Sequence, residues 1–310
     1  MDYRECAAFL KERDNFLIIT HLRPDGDTLG SAAALCSALR RLGKNAALFP
    51  NPEVTPKYEK FIEKYVEPDF KHDYIVSVDV AEEHMFCKGF SDKVDLAIDH
   101  HPSNSRYADG LLLHDEKASC GESIMEVIKE LCGGLTPEEA TLLYIAVSTD
   151  CGCFRYANVT DETFAAASEL AKFGADIQKI NFEIHRQVSK ARMVLEGLIC
   201  AGMKFYRGGR LVIATVTLDM MEQSGATEND CDDIAGIPGK VEGCEVSLLI
   251  RELEEGKCKV SARSHPSFDS CALCAKFGGG GHKMASGCTI EAGPDEICEM
   301  MVKAVEELWA

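Results

Sequence analysis

Ile18-Ile19-Thr20-His21-Leu22-Arg23-Pro24-Asp25-Gly26-Asp27-Thr28-Leu29-Gly30-Ser31 is the stretch that decides the fold. Phe16 to Thr20 is a short apolar run with β-branched residues, bounded by turn formers, and reads as a buried strand. Ser31 to Leu42 repeats apolar residues at helical spacing, so the segment between is a strand-to-helix loop. It carries one imidazole and two carboxylates at the carboxyl end of a strand, where open α/β sheets bind ligands. Pro24 and Gly26 suit a tight turn that lets His21, Asp25 and Asp27 face a common centre. Helix capping by either aspartate is the competing explanation, since acidic N-caps are common.

The same pattern recurs downstream. Tyr74 to Val78 reads as a strand ending at Asp79, and Val94 to Ile98 as another ending at Asp99-His100-His101. The mostly apolar segment Leu142 to Thr149 delivers Asp150 just before Gly152. A carboxylate-rich set with two or three histidines suits Mn²⁺ or Mg²⁺ better than a closed structural zinc site. Without cations these carboxylates would repel one another and some would hold protons.

In order and spacing, His21-x-x-Pro-Asp-x-Asp27, Asp79, Asp99-His100-His101-Pro102 and Thr149-Asp150-x-Gly152 resemble the four motifs of the DHH phosphoesterase superfamily. Gly278-Gly279-Gly280-Gly281-His282 with Ala285-Ser286-Gly287 is similar to the signature of the DHH-associated C-terminal domain. The resemblance implies two divalent ions, most readily Mn²⁺, with Mg²⁺, Co²⁺ or Fe²⁺ as alternatives. His21 and Asp25 would hold one; Asp27, His100 and Asp150 the other; Asp79 would bridge them, and a hydroxide activated by the pair would attack phosphorus. Asp99 is expected to orient an imidazole rather than ligate, and His101 to face the scissile phosphate, which makes His101, Asp79 and Asp99 the candidate catalytic residues. Arg263 is similar to the family's substrate arginine. Gly279, Gly280, Gly281 and His282 would line the substrate wall, because glycines let backbone N–H groups approach an anion closely. Cys151 stands where the family often has threonine, and Lys283-Met284 departs from some relatives.

The organisation expected is α/β: a mostly parallel, doubly wound sheet over residues 1–186, a helical connector over 187–200, and a smaller mixed α+β domain over 201–310. The connector closes a helical stretch running from Asp176 to about Glu196. The last part reads as hairpins, with turns at Arg207-Gly208-Gly209-Arg210 and Glu254-Glu255-Gly256, followed by a helix over Phe268 to Lys276 and another from Pro294 to Leu308. The 310 residues suffice for two domains, and 46% hydrophobic with 27% charged residues is a globular composition. No apolar run reaches membrane-span length and Met1 to Glu5 is no signal peptide, so a cytoplasmic protein with no membrane partner is expected. The fifteen cysteines then read as reduced, buried small hydrophobes, including Cys271-x-x-Cys274 and Cys151-x-Cys153.

A net charge of −18 argues against a grip on long nucleic acid duplex, which needs a basic stripe. Arg40, Arg41 and Lys44 cluster at a helix end, where solvation or the helix dipole explains them. Within the superfamily the length and the glycine motif look most like the nano-RNase (oligoribonuclease)/pAp-phosphatase branch. The function this implies is hydrolysis of short oligoribonucleotides to mononucleotides, with pAp 3′-phosphatase activity. A cyclic di-AMP or pApA phosphodiesterase and a non-catalytic nucleotide-binding regulator are the alternatives. A homodimer is implied by resemblance alone.

Overall fold

The computed structural model describes residues 1–309, and the chain divides into two compact units, Met1–Gln187 and Val188–Ala310. The first unit runs α1 (Tyr3–Glu12), β1 (Phe16–Ile19), α2 (Gly26–Arg41), β2 (Ala46–Leu48), α3 (Pro56–Ile62), β3 (Tyr74–Val78), β4 (Leu96–Asp99), β5 (Gly110–Leu113), α4 (Cys120–Cys132), α5 (Pro137–Asp150), α6 (Asp161–Lys172) and α7 (Ile177–Ile180). All five strands are parallel, in the order β2-β1-β3-β4-β5. Alternate strand residues serve opposite faces. Phe16, Ile18, Val76, Val78, Leu96 and Ile98 pack with Leu29, Leu35, Ile124 and Leu143 from the helices. Leu17, Ile19 and Ile75 pack under a loop-borne aromatic cluster of Phe49, Phe70, Phe86, Phe90 and Tyr107. Burial on both faces is why these strands are continuous apolar runs.

From β1 the chain turns to one side to form β2 and to the other to form β3. Such a reversal opens a crevice at the carboxyl ends of the two strands.

Three segments differ from the sequence expectation. Helix α2 begins at Gly26 rather than Ser31, because the Asp25 carboxylate caps it by accepting from the Asp27 and Thr28 amides at 2.9 and 3.2 Å. The short edge strand β5, pairing in parallel with β4, was not expected from its sequence. The expected helix over 176–196 is α7, a π-helical turn (Asn181–Arg186), an extended break at Gln187, and α8 (Lys190–Ala201) newly capped by Ser189.

The second unit continues with β6 (Lys204–Tyr206), β7 (Leu211–Val216), α9 (Leu218–Ser224), β8 (Val246–Glu254), β9 (Lys257–Ser264), α10 (Ser270–Ala275), β10 (Gly280–His282), β11 (Ala285–Ile290) and α11 (Pro294–Trp309). Its sheet has the order β10-β11-β9-β8-β7-β6, antiparallel except between β7 and β8. One face carries the main core against α10 and α11. On the other, Ala214, Val216 and Leu249 are covered by Leu195 and Ile199 of α8 with Ile234 and Ile237. The last two glycines of the run, Gly280 and Gly281, form strand β10 with His282.

Candidate active site

His21 follows β1, Asp25 and Asp27 open α2, Asp79 follows β3, Asp99 ends β4 with His100 and His101 after it, and Asp150 ends α5. The α2–α5 contact brings the last of these in. A Cβ on Gly30 would lie 2.4 Å from the Leu142 carbonyl oxygen, and one on Gly26 would lie 2.5 Å from Thr149 Oγ1, so only glycine lets the two helices approach this closely.

The donor atoms converge in overlapping groups. His21 Nε2 lies 3.7 Å from both Asp25 Oδ1 and Asp79 Oδ2. His100 Nε2 lies 3.4 Å from Asp79 Oδ1, 3.6 Å from Asp150 Oδ2 and 3.7 Å from Asp27 Oδ2. Three triads therefore have the proximity metal ligation requires: His21, Asp25, Asp79; Asp27, His100, Asp150; and Asp79, His100, His101. These separations are too long for hydrogen bonds, while donors about 2.1 Å from one ion lie about 3.0–3.5 Å from each other, close to what is seen.

Both inner histidines are held in one orientation by a backbone carbonyl. His21 Nδ1 donates to the Leu22 carbonyl at 2.7 Å and His100 Nδ1 to the Lys117 carbonyl at 3.1 Å, which turns each Nε2 toward the carboxylates. Asp27 is fully buried and accepts from the Cys120 and Gly121 amides at 2.7 and 2.9 Å and from Ser31 Oγ at 3.1 Å. The amides at the start of α4 thus hold a key carboxylate. Nothing in the Ser119-Cys120-Gly121 sequence pointed to that beyond its helix-start pattern.

Asp99 serves a different purpose from its neighbours. Its oxygens accept from His101 Nδ1 at 2.8 Å, Asn104 Nδ2 at 2.6 Å and the His100 amide at 2.8 Å, and it belongs to none of the triads. Burial opposes its ionisation, but the bonds from His101 and Asn104 outweigh this and hold its carboxyl below the usual range. His101 bonds to Asp99 through Nδ1, which also lies 3.5 Å from Asp79 Oδ1, and 38% of its side chain is accessible.

Electrostatics explain what the cluster requires. Burial, then the neighbouring charges of Asp79 and Asp150, push Asp27 well above the carboxylate range; burial and Asp25 do the same to Asp79; burial raises Asp150. Burial would lower the histidines, but Asp25 and Asp79 raise His21 to about 9, and Asp27 and Asp150 raise His100. Asp79 also sits at φ +62°, a strained value for an aspartate, and its buried Oδ1 has no hydrogen-bond partner. An orphaned buried oxygen among surplus carboxylates fits divalent cations in place of protons.

In the second unit the strand register sets the other expected residues. His282 pairs with Ala285 and Ala285 with Arg263, so His282 and Arg263 point to one sheet face in one cross-strand row. Gly280, Gly287 and Ser261 form the next row. Packing demands two of the glycines: a Cβ on Gly279 would lie 2.2 Å from the Gly287 carbonyl oxygen, and one on Gly281 2.7 Å from that of Ala285. Gly280 has open space above it and borders a cavity of about 450 Å³ that Lys259, Ser261, Arg263 and Thr289 also line.

The expectation of fifteen buried cysteines holds in part: nine are buried, while Cys132, Cys153, Cys231, Cys244 and Cys271 are half-buried and Cys200 is exposed. His185, on the π-helical turn, bonds to Ser148 Oγ at 2.8 Å, and His114 stacks on Tyr3 with ring centroids 4.5 Å apart. All fifteen cysteines are unbridged, Cys151 and Cys274 are buried, and among the described residues no metal-competent group includes a cysteine. Arg41 is paired with the buried Glu139 at 2.9 Å, so the basic cluster on α2 is structural. No helix among the described residues is long and apolar enough to cross a membrane.

Comparison with known proteins adds the following. Residues 15–147 match the model of the DHH family N-terminal domain, and 208–310 that of the DHHA1 domain. The chain is similar to the bifunctional oligoribonuclease and PAP phosphatase NrnA of Thermus thermophilus, 34% identical over 94% of this chain and 89% of that protein. It is also similar to the bifunctional oligoribonuclease and PAP phosphatase NrnA of Bacillus subtilis, 26% identical over 89% and 90%. An exopolyphosphatase-related protein from Bacteroides fragilis has the same fold, with a TM-score of 0.87 over 98% of this chain and 96% of that one at 24% identity.

Proposed function

The chain belongs to the DHH family, and from that premise we propose that it is a metal-dependent phosphoesterase that hydrolyses short oligoribonucleotides to mononucleotides and removes the 3′-phosphate of pAp. The observation that carries this reading is Asp79, one oxygen of which faces His21 and the other His100. A carboxylate so placed suits a shared ligand between two cations. His21 and Asp25 would hold one ion and Asp27, His100 and Asp150 the other, with Mn²⁺ favoured by the mixed carboxylate and imidazole set. When bound, the ions supply an activated water at neutral pH and offset charge on the phosphoryl oxygens.

The chain's own groups account for the rest. His101, oriented by Asp99, presents an imidazole nitrogen at the exposed edge, suited to hold a proton or hydrogen bond at the phosphate as the ester oxygen leaves. Arg263 offers a guanidinium for bidentate phosphate recognition, His282 stands in its row, and the open backbone at Gly280 admits an anion. Side chains that line a polar sheet face suit a few phosphates of a short strand, in keeping with the acidic whole.

The test is to incubate the purified protein with Mn²⁺ and, separately, pApA, a five-nucleotide RNA, pAp, cyclic di-AMP and pyrophosphate. Mononucleotides from the first two and AMP with phosphate from pAp are expected. Preferential turnover of cyclic di-AMP would shift the assignment to that substrate, and no turnover of any would favour a nucleotide-binding regulator.

A further inference from the structure

We propose that Asn158 is a positioning residue for the triad of Asp27, His100 and Asp150, its side-chain amide fastening together the two backbone segments that aim those three ligands; this rests on the two-cation reading above. Asn158 Nδ2 donates to the Ala118 carbonyl at 3.0 Å and to the Asp150 carbonyl at 3.3 Å, and the amide has a hydrogen for each. Ala118 stands in the middle of the segment that supports two members of the triad. Just before it, the Lys117 carbonyl accepts from His100 Nδ1; just after it, the Cys120 and Gly121 amides donate to Asp27. The other carbonyl belongs to the third member. Asp150 ends α5, and its Oδ2 lies 3.6 Å from His100 Nε2. One exposed side chain therefore bridges, across 40 and 8 residues of sequence, the supports of all three ligands.

The loop from Asp150 to Asn158 needs such a tie. Gly152, Cys153 and Phe154 have φ of +57°, +55° and +63°, three left-handed residues in a row, two of which carry a Cβ. Backbone of this kind persists only where its surroundings over-determine it. The Cys153 amide donates to the Ser148 carbonyl at 2.7 Å and the Arg155 amide to that of Cys151 at 3.0 Å, which holds the loop to the end of α5. The Asn158 amide carries it across to the segment before α4. The supports of His21 and Asp25, which are the Leu22 carbonyl and the α2 amides, belong to neither bridged segment. The effect of Asn158 is therefore confined to one ion of the two.

The experiment titrates metal-free wild type, N158A and N158L with Mn²⁺, following free Mn²⁺ by its electron paramagnetic resonance signal. N158L keeps the size of the side chain without its donors, so it reads the bond apart from the packing. Wild type is expected to take up two ions. In both variants the affinity for one is expected to fall about 10–100-fold, the scale for partners that orient metal ligands, while the other stays within about two-fold of wild type. In a D150A background, which loses the site in question, adding N158A is expected to change the remaining affinity by less than about two-fold. Steady-state rates on pAp should move in parallel: the Mn²⁺ concentration giving half the maximal rate rises with the lost affinity, and KM for pAp at saturating Mn²⁺ stays near wild type. Equal weakening of both ions, or unchanged affinity for both, in N158A and N158L would overturn the proposal. Wild type that binds fewer than two Mn²⁺ would instead remove the two-cation reading itself.

Discussion

Asp79 concentrates the chemistry and the strain of the site in one residue: left-handed backbone, full burial, and a carboxyl oxygen with no hydrogen-bond partner. Asp79→Asn is expected to lower hydrolysis by about 10²–10³-fold or more. The same change removes a buried charge from a crowded cluster, so the metal-free variant should melt a few degrees above the metal-free wild type, the usual opposition between a strained site and stability. Activity assays and thermal melts check both halves, and retained activity would remove Asp79 from the reaction. In the second unit, Arg263→Ala should raise KM by about 10–100-fold, the scale of losing a charge-assisted hydrogen bond, with a smaller effect on kcat. Steady-state kinetics on pAp decide it. Asp25 shows why residue types alone were ambiguous: its carboxylate caps α2 and also faces His21, so capping and chemistry were never exclusive.

At the scale of elements, the site depends on how closely α2 approaches α5. Gly30→Ala should cost about 1–3 kcal/mol, because the added carbon meets a backbone carbonyl that cannot move aside alone. It should also weaken Mn²⁺ binding, since it pushes Asp27 on α2 away from Asp150 on α5. Calorimetric titration with Mn²⁺, beside a chemical melt, checks the pair, and tight Mn²⁺ binding in a destabilised variant would separate packing from ligation. Apolar runs were legible because their period is local, but the start of α2 was not, since its cap Asp25 lies outside the apolar pattern that begins at Ser31. The π-helical turn over Asn181–Arg186 was not, because its irregular winding goes with contacts distant in sequence, Tyr144 Oη to Asn181 Oδ1 at 2.9 Å and His185 to Ser148.

Across the whole molecule the cluster couples proton binding to folding. Asp27, Asp79 and Asp150 have raised values in the folded state, as do His100 and His21, the last at about 9. A group raised on folding contributes stability that is complete below its unfolded value and is lost as pH climbs through its folded one. All five therefore act in the same direction, and the metal-free Tm should fall between pH 6.5 and 8. Two groups act oppositely: His185 in the first unit, lowered by burial to about 4, only between about 4 and 6.5, and Cys274 in the second unit, lowered by its hydrogen bond with Cys288 to about 7, so the fall is read on the melting of the first unit. Divalent cations replace the protons, so the rise in Tm on adding Mn²⁺ should grow over the same interval. Melts in EDTA and in Mn²⁺ at the two pH values test this, and a metal-free Tm that increases toward pH 8 would contradict it.

By itself the sequence determined the α/β class of the first half, the hairpins of the second, and the residue types of the site, because strand period, turn residues and motif order are properties of neighbours along the chain. Only the tertiary structure decided that β1 and β3 lie side by side, that the α4 amides hold Asp27, that Asp99 bonds His101 and Asn104 together, and that Lys259, Ser261 and Arg263 share a face with the glycines of β10. Those are contacts between segments far apart in sequence, chosen by packing and strand register, and no local pattern encodes them.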